Sequence, residues 1–231
     1  MTAPAIAANG PDSFVWWDWV SRHSDDIRAA TIEHLQLTAT SVFYGFIIAM
    51  TMAVVSVRWR RSYAPLAAVA GGFYAIPSLA LFGFLVPITG LGFRTAQIAL
   101  VSYTLLILLR NIVAGVDGVP QSVKDAADGM GYEPWRRFVS VDLRLATPAI
   151  IGGLRVATVT VIGLVTVAAL VGSGGYGTFI EDGLNREFST PIVVGGFLSV
   201  VMAVAFDLAF VLLQRLLTPW ARAERMASGH A

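Results

Sequence analysis

Cysteine is absent from the 231 residues, so disulfides and thiolate metal sites are excluded and the redox compartment is left open. Charge is scarce as well. Asp, Glu, Lys and Arg make up 13% of the chain, about half of the ~25% usual in soluble domains. The net charge of +1 gives the chain no general pull on nucleic acid or on an acidic partner. His23, His34 and His230 are too scattered to suggest a metal cluster, and neither a metal nor a cofactor is expected. No GxxxxGK[ST] stretch occurs, which excludes a P-loop ATPase in this chain; HExxH and GxSxG are missing too, so the chain does not read as an enzyme. The first residues, MTAPAIAANGPDSF, lack a basic stretch followed by an apolar one, so no cleavable signal peptide is expected.

What remains is hydrocarbon. Hydrophobic residues account for 56% of the chain and the mean hydropathy is +0.69. Five segments are apolar over about 20 residues, the length a bilayer requires. They run roughly over 35–57, 63–88, 95–116, 145–171 and 192–217. Each is continuous rather than alternating, which predicts helices and not barrel strands. The second contains Gly71, Gly72, Pro77 and Pro87, so it reads either as one kinked helix or as a helix with a re-entrant piece. The predicted class is an all-α polytopic membrane protein with five core spans.

Orientation follows from lysine and arginine. Arg58, Arg60, Arg61, Arg110, Lys124, Arg136, Arg137, Arg144, Arg215, Arg222 and Arg225 fall on one side; Arg22, Arg28, Arg94 and Arg186 fall on the other. Eleven against four predicts the N-terminus outside and the C-terminus inside. The layout is then an extracytoplasmic segment over 1–33, a membrane domain over 34–217 with a cytoplasmic loop over 117–144, and a cytoplasmic tail over 218–231. In the first of these, Trp16, Trp17 and Trp19 beside Asp18, Asp25 and Asp26 predict a helix in the outer interface, an aromatic anchor among lipid headgroups.

The loop departs in composition from everything around it. SVKDAADGM carries good helix formers and no β-branched residue after Val123. Gly129 and Gly131 stop that helix, and Pro134 opens a second one continued by WRRFVSV. Ala126 and Ala127 give the first helix a small-residue face that the backbone of another protein can approach closely. Helix, tight turn, helix is the expected form, and docking is the expected use.

This pattern resembles the permease subunits of ATP-binding-cassette importers, which carry E-A-A, three residues, G, and further on a hydrophobic-L-P stretch. Here the residues are Asp125, Ala126, Ala127, Asp128, Gly129, Met130 and Gly131, then Val141, Asp142, Leu143 and Arg144. Asp125 stands where Glu is usual, and Arg144 where Pro is usual, with Pro148 four residues on to supply the break. AIPSLALFGFLVPITGLG, LLRNIVAGVDGVP, ATPAIIGGLR and LVGSGGYGTFIEDGL look like the osmoprotectant branch, whose members import glycine betaine, choline, carnitine and related quaternary ammonium compounds. The resemblance covers most of the chain. It implies a multi-pass protein of a prokaryotic inner or plasma membrane, a separate ATPase that receives the loop, an extracytoplasmic solute-binding protein and a second permease, identical or related. It also implies that Asp125, Ala126, Ala127 and Gly131 carry the coupling. An amino-acid permease of the same superfamily is the nearest alternative. An ion-driven secondary transporter is more remote, because no inverted repeat is evident.

Other features are weaker. GSGGYG, over 172–177, fits GxGxxG by letter but follows a membrane span instead of a strand, so it reads as a flexible outer turn able to admit a gate or a binding protein. Asp207 lies deep in the fifth span and Arg155 at similar depth in the fourth, which predicts an intramembrane charge pair. Asn111 reads as the polar end of the third span. Phe73, Tyr74, Phe84 and Tyr103 have the chemistry to meet a quaternary ammonium, but embedded aromatics are more often packing. No substrate-binding residue is assigned.

Overall fold

Continuous apolar sequence folds into long helices, and a computed structural model describes them over residues 15–219. The first 14 residues, the greater part of the predicted tail, Arg222, Arg225 and His230 lie outside the described residues. In chain order the helices are α1 (Trp17–Arg22), α2 (Ser24–Arg58), α3 (Tyr63–Ala75), α4 (Ser78–Thr89), α5 (Phe93–Asp117), α6 (Gln121–Gly129), α7 (Pro134–Arg137), α8 (Leu143–Val167), α9 (Gly177–Asn185) and α10 (Ser189–Leu217). No strand occurs among the described residues. Four helical stretches are each long and apolar enough to cross a membrane: α2, α5, the run Pro134–Val171, and α10. The pair α3 and α4 makes a fifth if counted together.

Several expectations change here. The second span is not one kinked helix, because Pro77 sits between α3 and α4 in extended backbone (φ −54°, ψ 134°) and ends the first before starting the second. Pro87, by contrast, lies inside α4. Pro148 supplies no break, since α8 runs through it; membrane helices tolerate proline where neighbours satisfy the freed carbonyl. The predicted boundary at 33/34 falls within α2, which is unbroken from Ser24.

The chain divides into two compact units: Met1–Ser41, Ile76–Leu100 and Thr160–Val204; and Val42–Ala75, Val101–Val159 and Ala205–Ala231. In the second unit, Ala49, Ala53, Leu108, Leu109, Ile112, Val113 and Ala157 form a buried core. Small residues let its helices approach closely, as lipid-embedded packing demands. A Cβ on Gly115 would lie 2.8 Å from that of Ala149, and one on Gly153 would lie 2.6 Å from that of Asn111. Asn111 also donates from Nδ2 to the Ile107 carbonyl at 2.8 Å, so it works in helix packing and not merely as a polar terminus.

In the first unit, the tryptophans expected as lipid anchors pack on their own chain. Trp19 meets Phe179 and Phe188 edge-on at 5.9 and 6.1 Å, and the Trp16 amide donates to Thr190 Oγ1 at 2.9 Å. Trp17 alone of the three stays exposed. The GSGGYG stretch is no flexible outer turn either. Ser173 to Gly177 are buried. A Cβ on Gly177 would sit 2.1 Å from the Thr166 carbonyl oxygen, and one on Gly174 2.2 Å from the Ala169 nitrogen. His34 pins the stretch: its Nδ1 accepts from the Tyr176 amide at 3.3 Å and its Nε2 meets the Ile162 carbonyl at 3.1 Å. Glu33 accepts from the Ser173 hydroxyl at 2.5 Å, and the Tyr176 hydroxyl meets Thr31 at 2.9 Å.

Candidate functional site

The loop between α5 and α8 begins where α5 ends at Asp117, whose carboxylate is held by a two-pronged ion pair with Arg60, at 2.8 Å on the Nη1 side. Pro120 in extended backbone opens α6. Lys124 reaches back from α6 to the Val116 carbonyl at 3.2 Å, tying the short helix to the end of α5.

The helix ends by a specific device. Gly131 has φ +81°. The Tyr132 amide bonds to the Ala127 carbonyl at 3.1 Å, and the Gly131 amide to the Asp128 carbonyl at 3.0 Å. That pair of bonds around a left-handed glycine is the Schellman arrangement, which satisfies carbonyls that a helix end leaves open. Gly131 is therefore the stop. Gly129 lies inside α6 at an ordinary φ.

After the turn, α7 runs directly into a π-helical turn, Phe138–Asp142, and on into α8. The second helix of the predicted pair is thus continuous with the fourth span. Arg137 joins the parts: its Nη1 bonds Asp128 at 2.5 Å, and its Nε lies 3.7 Å from Asp142. An ion pair thus joins the end of α6 to the helical run that continues into α8.

The predicted site residues fall on two sides of α6. Asp125 and Ala126 are exposed, as is Gly131 in the turn. Gln121 donates to Asp125 at 2.8 Å, one helical turn away. Ala127 is 2% exposed and faces its own chain, so it does not contribute to an outward small-residue face. Two large apolar residues of the loop assigned no role from sequence are exposed: Met130, 70% exposed, and Trp135, 63% exposed. Arg137 and Asp142 were likewise given no site role from sequence, although a lone carboxylate within FVSVDL was a visible signal.

Arg155 and Asp207 meet. The guanidinium addresses both carboxylate oxygens, with Nη2 to Oδ2 at 2.8 Å and Nε to Oδ1. This fork geometry is the strong form of an arginine–carboxylate contact. Of the aromatics, Tyr103 is buried and meets Tyr74 edge-on at 6.2 Å; Phe73, Tyr74 and Phe84 are exposed.

Comparison with known proteins gives these elements a context. Residues 39–223 match the model of the family described as binding-protein-dependent transport system inner membrane component. The choline transport system permease protein OpuBB of Bacillus subtilis is 32% identical over 87% of this chain and 93% of its own length. The osmoprotectant import permease protein OsmW of Salmonella typhimurium is 32% identical over 84% of this chain and 92% of its own. Among solved structures, a chain of the MetNI methionine ABC transporter in an inward-facing conformation superposes with a TM-score of 0.74 over 83% of this chain and 96% of that one, at 20% identity. That likeness is one of fold.

Proposed function

This chain belongs to the binding-protein-dependent transport system inner membrane components, and from that premise we propose that its cargo is a small quaternary ammonium osmoprotectant such as glycine betaine, choline or carnitine. It is a multi-pass permease subunit of an ATP-binding-cassette importer. The observation that carries the cargo reading is the 32% identity, over most of both chains, to permeases named for choline and osmoprotectant import.

In this reading the exposed side of α6 and the Gly131 turn dock on a separate ATPase subunit. Asp125, Ala126 and Gly131 make that contact, and Ala127 holds α6 to the permease. The loop lies in the cytoplasm of a prokaryote, as the arginine and lysine bias supports, with the N-terminus outside and the C-terminus inside. ATP closes two ATPases, which move two permease copies, identical or related, as rigid bodies by favouring one of two states. Because Arg137 bonds Asp128 and α7 continues into α8, displacement of α6 reaches the fourth span without a flexible joint. An extracytoplasmic binding protein presents the cargo. Arg155 and Asp207 are a structural pair that lets two charges remain in the span.

The test is uptake of labelled choline by cells producing this chain with its ATPase and binding protein. Competition by glycine betaine and carnitine, none by amino acids, and loss on ATP depletion are expected. Displacement by an amino acid alone would reassign the cargo; uptake that survives ATP depletion would reject the mechanism. For the charge pair, Asp207→Asn with Arg155→Gln should preserve more folded protein than either change alone, and additive losses would remove the pairing role.

A further inference from the structure

Arg155 and Asp207 satisfy one another, but their own chain does not cover them. The Arg155 side chain is 40% exposed and that of Asp207 31%. Both lie deep in apolar spans of the second unit. From Leu143 to Arg155, and from Asp207 to Leu217, the helices rise about 18 and 15 Å at 1.5 Å per residue. Charged side chains at such depth face protein or a water-filled space, not hydrocarbon. Something other than lipid therefore meets the open side of this pair.

The surface leading away from the pair agrees. On α8, Arg144, Pro148, Gly152 and Arg155 recur at helical spacing along one face, and no large apolar residue stands among them. Arg144 is exposed. Pro148 has no N–H for the Arg144 carbonyl one turn earlier, which adds a backbone acceptor to that face. Gly152 leaves open space one turn from Arg155, since a Cβ there would meet nothing within 4 Å. On α10, Gln214 lies seven positions beyond Asp207 on the same face. The exposed side of α2 is the contrast: Phe43, Tyr44, Ile47 and Ile48 present the large apolar surface that lipid requires. We propose that Gly152, Arg155, Asp207 and Gln214 line a water-filled vestibule on the path of the cargo, with the second permease copy as its far wall. This rests on the importer reading above and names a wall of the route that reading requires.

The chain has no cysteine, so a single introduced thiol reports alone. Gly152→Cys, Gln214→Cys and the control Ile47→Cys are each assembled with the ATPase and binding protein in lipid nanodiscs. A charged, water-soluble methanethiosulfonate is added with and without ATP, and the mass gain of the chain is followed. The reagent needs the thiolate, which forms in water and not in apolar surroundings. Gly152→Cys and Gln214→Cys should react at least about tenfold faster than Ile47→Cys in one of the two conditions. The open space at Gly152 admits the new side chain, and Gln214→Cys is the second arm if Gly152→Cys fails to assemble. Labelling of both no faster than Ile47→Cys would overturn the proposal. So would oxidative cross-linking of Gly152→Cys between copies without labelling, which marks a dry contact. Uptake by the wild-type transporter in proteoliposomes is measured in parallel. Uptake that does not need ATP would reject the importer reading; slow labelling beside intact ATP-driven uptake would reject the vestibule alone.

Discussion

Two glycine-bearing turns follow helices in this chain, one the short α6 and the other the apolar run that ends at Val171, and glycine serves a different purpose in each. At Gly131 the backbone needs the freedom: φ is +81° and no atom lies within 4 Å of where a Cβ would stand. At Gly177 the space is needed: a Cβ would meet the Thr166 carbonyl oxygen at 2.1 Å. The first turn is an exposed stop designed into a short helix, and the second is a buried seam closed by His34 and Glu33. A glycine count cannot separate the two. What separates them is whether the substituted side chain would be strained by its own backbone or by its neighbours.

Substitutions can sharpen or break that contrast. The largest effect is expected for Gly177→Ala. The obstruction is backbone, which cannot rotate away, so the change should cost about 1–3 kcal/mol or more, read as a lower melting temperature and less folded protein in detergent. Ala127→Leu should come next. Ala127 is buried beneath α6, and a larger side chain there should lower stability by a similar order, whereas Ala126→Leu should leave the melting temperature unchanged and weaken association with the ATPase. Gly131→Ala should cost about 1 kcal/mol through left-handed strain, and Gly131→Asn less, because Asn tolerates that region. Gly129→Ala should have the smallest effect: no atom lies within 4 Å of the new Cβ, and the gain in helix propensity is at most ~1 kcal/mol. If Gly129→Ala and Gly131→Ala prove equally harmless in thermal melts, the Schellman stop is not what fixes the turn.

Much of the first turn was legible in the sequence because its determinants are local. Helix formers, a glycine at the stop and Pro134 all lie within fifteen residues of one another. Even the inward side of α6 had a signal, since Val123 and Ala127 stand one helical turn apart. The second turn was misread because its partners are remote: His34 meets Tyr176 across 142 positions. The fate of Pro148 was illegible for a related reason, as neighbouring helices decide whether a membrane helix bends at proline. Arg155 and Asp207 are also far apart in sequence, but their equal depth was readable because charge is rare in a span.

The central claim is that the exposed side of α6 and its glycine stop couple this permease to an ATPase. The most direct measurement is co-purification of the tagged chain from gently solubilised native membranes, wild type beside Gly131→Arg, with the partners identified. An ATPase recovered with wild type and lost from the equally abundant, equally folded variant is the predicted result. An ATPase retained at wild-type levels by Gly131→Arg, or absent from wild type under several detergents, would contradict it.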